Sequence, residues 1–100
     1  MAKHITNEDI VKSVISEWDL NHLMEVNSYI NSLHHLKALN KKLSQIEIKA
    51  MFDLRNKLLK DHEYGYHCAT CRKETYRLLS GAQKIITTRI EYLNSTTLKK

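Results

Sequence analysis

Two histidines and two cysteines fall within the ten residues from His62 to Cys71, in the stretch "KDHEYGYHCATCRKETYR". These are residue types that bind metals and exchange electrons. Tetrahedral zinc takes four nitrogen or sulfur ligands at about 2.0–2.3 Å, and a Cys-x-x-Cys often supplies two of them. His62, His67, Cys68 and Cys71 therefore form a candidate zinc clip, which would tie down a turn in a small domain. The spacing is irregular for that purpose. His67 and Cys68 are adjacent and would strain to bind one ion; His34 and His35 on the second helix could supply the missing arm if that helix passes close by.

Two other chemistries compete. A free cysteine packs as a small hydrophobe, and on a helix Cys68 and Cys71 share a face with Ala82, Ile86 and Leu93. Core packing is the leading expectation, with no cofactor, and zinc is the alternative. A redox pair at a helix N-terminus is the third reading, without the strand-rich surroundings of thioredoxin-like motifs. The order "HCATCR" excludes haem attachment, which needs His after the second Cys.

The elements that would position this cluster are helical. The chain has no proline and only two glycines in 100 residues, too few turn residues for a small sheet protein. A hydrophobic content of 42% and a charged content of 27% suit a globular chain and not a disordered one. One domain spanning residues 1–100 is expected. The spacing predicts a first helix after Thr6, whose hydroxyl can cap while Asp9 answers from the third helical position. A second helix begins near Asp19 or Asn21 and carries a leucine-rich stripe from Leu23 to Leu43.

The third helix starts at "SQIE", a capping box of Ser44 and Glu47, and extends from Gln45 to about Asp61. It has two apolar bands, one through Ile46, Ala50, Met51, Leu54 and Leu58, the other through Ile48, Phe52 and Leu59. A surface helix needs one stripe, so this helix has either a central place in the bundle or a second partner. The fourth helix covers about Cys68 to Asn94, after a reversal at Gly65. Its "IITTRIEY" has strand-like composition, but the wider window keeps a helical period. The expected fold is an all-α bundle of three to four helices, with a long helical hairpin of the second and third.

These features favour a non-enzymatic protein. No Ser/His/Asp arrangement, carboxylate pair or phosphate-cradling glycine loop is present. The leading expectation is an interaction or assembly protein, a small subunit or adaptor of a larger complex such as a virion, or an oligomer of itself. Its partner contact would use Ile48, Phe52 and Leu59, with Trp18 as a further anchor. The alternative is a small nucleic-acid-binding module. The net charge is +5, and Lys73, Arg77 and Lys84 project from the polar side of the fourth helix. Tyr64, Tyr66 and Tyr76 lie nearby and either stack on bases or pack. Arg89 falls on the apolar face of the same helix, where it must reach outward or find a carboxylate. No small-molecule substrate is implied. No apolar run approaches the roughly 20 residues that span a bilayer, and the first residues lack a signal core. A cytoplasmic location away from membranes is the expectation.

Overall fold

The computed structural model describes residues 6–62 and 64–98, and folds them into four helices. They are α1 (Asn7–Ser16), α2 (Leu20–Ala38), α3 (Gln45–Leu59) and α4 (Ala69–Leu98). There is no strand among the described residues. The molecule is an all-α bundle, and "IITTRIEY" lies within α4.

Each helix starts where a side chain can satisfy backbone donors that have no helical partner. At α1, Thr6 Oγ1 accepts the Asp9 N–H at 3.2 Å, while the Asp9 carboxylate accepts the Thr6 N–H at 3.3 Å. Ser44 and Glu47 repeat this reciprocal capping box at α3. The bonds to Ser44 hold the Glu47 carboxyl below its usual value of 4.5. Asp19 caps α2 by accepting the His22 N–H at 2.8 Å.

The stops are equally local. The second helix ends at Ala38, short of the expected Leu43. Asn40 takes a left-handed φ of 59°, and the Lys41 N–H bonds back to the Leu36 carbonyl. This is a Schellman closure with asparagine in glycine's usual place. It takes Leu39 off the core stripe and leaves it 53% exposed. Lys60 closes α3 in the same manner with φ 54°, and the Asp61 N–H returns to the Asn56 carbonyl. At the last reversal, the Gly65 carbonyl accepts the Cys68 N–H at 3.1 Å. Among the described residues no glycine has a positive φ, so the freedom expected of Gly65 is not used.

α4 is the spine. Thirty residues at 1.5 Å each give about 45 Å, which matches the 48 Å long axis of the molecule. It packs against all three other helices, and α1 packs against α3 as well. The principal partner of α2 is α4; the expected pairing of α2 with α3 is not among the main helix contacts.

This packing corrects the expectation for α3. Ile48 and Phe52 lie within the core, at 6% and 0% exposure, and Leu59 is half-buried against it. Two neighbours, α1 and α4, cover the two bands, so the helix is central and the second partner is unnecessary. Ile46, placed on the inward band by the sequence, is 80% exposed because it sits in the first turn of α3, beyond the edge of that packing. Trp18 packs against the core and meets His22 edge to face, with ring centroids 4.5 Å apart.

Gly81 occupies an exposed position inside α4, and a Cβ built there meets nothing within 4 Å. Gly81→Ala should therefore stabilise the protein by about 1 kcal/mol through reduced backbone entropy in the unfolded chain. Urea denaturation followed by circular dichroism reads this as a higher midpoint with an unchanged slope.

Candidate functional site

The α2–α4 seam is polar where a bundle seam is usually apolar. Gln83 on α4 lies opposite Asn27, Asn31 and His34 on α2. Its Nε2 donates to Asn27 Oδ1 at 3.0 Å and to Asn31 Oδ1 at 2.6 Å. Its carbonyl oxygen accepts the His34 Nε2–H at 2.8 Å. That assignment leaves His34 Nδ1 free to accept the Tyr76 hydroxyl, with which it is hydrogen-bonded. Residues 27, 31 and 34 repeat at helical spacing, as do 76 and 83, so the network fixes the register of the two helices.

With register fixed, the C-terminal end of α2, the 39–44 connection, one face of α3 and the first two turns of α4 enclose a groove of ≈ 530 Å³. Leu33, Leu43, Ile48 and Met51 contribute apolar lining. Five cations surround it: Lys37, Lys41, Lys42, Arg72 and Lys73. Among the described residues no carboxylate lines it. Ala69, Arg72, Lys73 and Tyr76 reach the groove together because they are spaced by three and four residues on α4. The Schellman stop at Asn40 turns the chain so that Lys41 and Lys42 lie at its edge.

The absence of carboxylates originates in the sequence. Between Glu25 and Glu47 there are three lysines and no acidic residue, and between Glu63 and Glu74 there are Arg72, Lys73 and again none. The α2–α4 pairing puts these two stretches side by side. The first 25 residues, by contrast, hold five carboxylates and two lysines.

The two helix ends act oppositely on these cations. Lys37 in the last turn of α2 meets the negative end of that helix, a favourable arrangement. Arg72 and Lys73 lie near the positive end of α4, whose first turn has no acidic residue. Cations there oppose the helix dipole by roughly 0.3–1 kcal/mol each. Positive charge is thus concentrated at the groove against the preference of α4.

The candidates from the sequence are dispersed. Lys73 lines the groove; Lys84 lines a separate hollow with His34 and Gln83; Arg77 lines neither. Arg72, at the edge of the basic stripe on the fourth helix, lines the groove as well; Lys37, Lys41 and Lys42 were missed, and the acid-free stretch around these three lysines was the signal that could have found them. Tyr76 is not a stacking platform, since Lys37 Nζ lies 4.0 Å from its ring centroid and its hydroxyl is engaged by His34. Tyr66 packs edge to face on Phe52 at 5.2 Å, which leaves Tyr64 as the exposed member of the three.

The zinc clip is not assembled. Cys68 and Cys71 are joined as a disulfide, and His62 and His67 are exposed. Among the described residues no three His, Cys, Asp or Glu side chains come together as metal ligands. His35 is exposed, and His34 is committed to the seam. Cys71 does pack against the core, as the leading expectation required, but as half of a disulfide and not as a free thiol. Arg89 lies over the Tyr92 ring at 5.2 Å; its buried Nε has no hydrogen-bond partner among the described residues. Tyr29 donates to the Glu47 carbonyl at 3.4 Å, and burial, with Glu47 and Asp53 nearby, pushes its hydroxyl up to about 12.

No protein family, curated protein or solved structure matches the chain. No helix among the described residues is long and apolar enough to cross a membrane.

Gln83→Ala removes the central member of the seam and leaves three α2 side chains short of a partner. With partly buried bonds worth about 0.5–1.5 kcal/mol each, the variant should lose about 1–2 kcal/mol. A lower urea midpoint measures it. An unchanged midpoint would mean that the network does not hold α2 to α4.

Proposed function

We propose that the chain is a small basic helical module that binds the phosphate backbone of nucleic acid in the groove beside the α2–α4 seam, without reading sequence. One observation supports this above the others: among the described residues, five cations and no carboxylate line a single groove. A solvated basic surface normally intersperses both signs, as the first 25 residues do. Closely spaced cations without acids suit a ligand with closely spaced anions, and phosphate contacts supply most non-specific nucleic-acid affinity. The engaged Tyr76 argues against base stacking and for backbone contact.

The assembly reading has lost its main support. It rested on Ile48, Phe52 and Leu59 being too much apolar surface for one short chain; Ile48 and Phe52 are enclosed by their own helices, and Leu59 is half-buried against them. Single exposed hydrophobic residues such as Met24 and Ile46 are ordinary on a soluble surface.

If the five cations each neutralise one phosphate, the logarithm of the duplex-DNA association constant should fall against log salt with a slope of roughly −4.5. Between about 50 and 200 mM salt the affinity should drop roughly 500-fold. Fluorescence anisotropy with an arbitrary labelled duplex measures this. Arg72→Glu with Lys73→Glu should cut the slope by about 2 and, by placing acids near the α4 N-terminus, leave the protein as stable as before or slightly more so. Lys57→Glu, on the exposed side of α3, is the control and should change the slope little. Absence of binding at low salt, or equal effects of the groove and control variants, would overturn the proposal.

A further inference from the structure

We propose that Cys68 and Cys71 form a reversible redox site that exchanges electrons with a low-molecular-weight thiol of the glutathione type. This inference is independent of nucleic-acid binding. The disulfide links residues three apart, with Cα atoms 5.2 Å apart, at the start of α4. As a structural staple it accomplishes little. A disulfide stabilises mainly by restricting the unfolded chain, and the effect grows with loop length. Here the loop is minimal, and the first turn of α4 already holds its ends, with the Arg72 N–H bonded to the Cys68 carbonyl at 3.0 Å.

The surroundings suit a thiolate instead. Cys68 immediately precedes α4, and its Sγ accepts the Cys71 N–H at 3.2 Å. A thiolate formed there meets the positive end of a 30-residue helix and a donor already aimed at it. The first turn has no acidic residue to oppose it, and Arg72 and Lys73 follow directly. The two sulfurs are also differentiated. Both are partly exposed, but only Cys71 packs against the core. An incoming thiol therefore reaches Cys68 first.

In the reducing direction, an external thiolate attacks Cys68 Sγ. The Cys68–Cys71 bond breaks, and Cys71 leaves as a thiolate and takes a proton from water. A second external thiolate attacks the outer sulfur of the mixed disulfide, releasing Cys68 as the thiolate and the external pair as its own disulfide. Two electrons pass to the protein, and two small thiols become one small disulfide. Oxidation is the reverse.

The test equilibrates the full chain in buffers of graded reduced-to-oxidised glutathione ratio, traps free thiols with a maleimide, and counts adducts by mass spectrometry. The expected result is a single transition from no adducts to two, with its midpoint inside the range that glutathione mixtures can set. A pair that stays closed at the most reducing ratio, or stays open at the most oxidising one, overturns the proposal. A second measurement uses Cys71→Ser, whose helical content is checked first by circular dichroism. At about pH 6.5, Cys68 of the folded variant should react with iodoacetamide about tenfold faster than in the urea-unfolded variant. Equal or slower reaction in the folded variant overturns it as well.

Discussion

The pairing of α2 with α4 is the constraint on which the other features depend. Its hydrogen bonds run from one glutamine, Gln83, to two asparagines and a histidine, and from that histidine to Tyr76. Apolar seams tolerate slippage of one residue by repacking, whereas a polar seam displaced by one turn leaves several groups without partners. Leu23, Ile30 and Leu33 on α2 and Leu79 and Ile86 on α4 supply the burial; the amides supply the register. That register lines up two stretches of sequence that lack carboxylates, and the groove of like charges results.

The charge arrangement opposes local stability. Lysines at the end of α2 agree with its dipole, but Arg72 and Lys73 near the start of α4 do not. The core leaves room for such a penalty. Among the described residues fifteen hydrophobic side chains drawn from all four helices are buried, including two of the three on α3 that were expected to face a partner. Reversal of the charge at the start of α4 separates the two demands, because binding and helix stability should respond in opposite directions.

Local chemistry was the most legible part of the sequence. Thr6 with Asp9, Asp19, and Ser44 with Glu47 start their helices where their spacing indicates, because a capping bond involves residues only three apart. Asn40 and Lys60 were not read as stops, since left-handed closure at a residue other than glycine has little sequence signal. Ile48 and Phe52 were misplaced for a different reason. Periodicity shows how much of a helix is apolar, but not how many neighbours will cover it. The groove was hidden for the same cause: Lys37, Lys41 and Lys42 are far in sequence from Arg72 and Lys73, and only tertiary pairing makes them one feature. The Cys-x-x-Cys was conspicuous from the outset, yet its state depended on whether histidines would converge on it, and among the described residues none do.

The most direct test of the central claim is a map of backbone amide shifts in the ¹⁵N-labelled chain as a short duplex of arbitrary sequence is added at low salt. The account predicts perturbations concentrated at residues 37–43 and 69–77, where the end of α2 meets the start of α4, with little change along α1. Perturbations centred on α1 or on the exposed side of α3, or none at all, would contradict it.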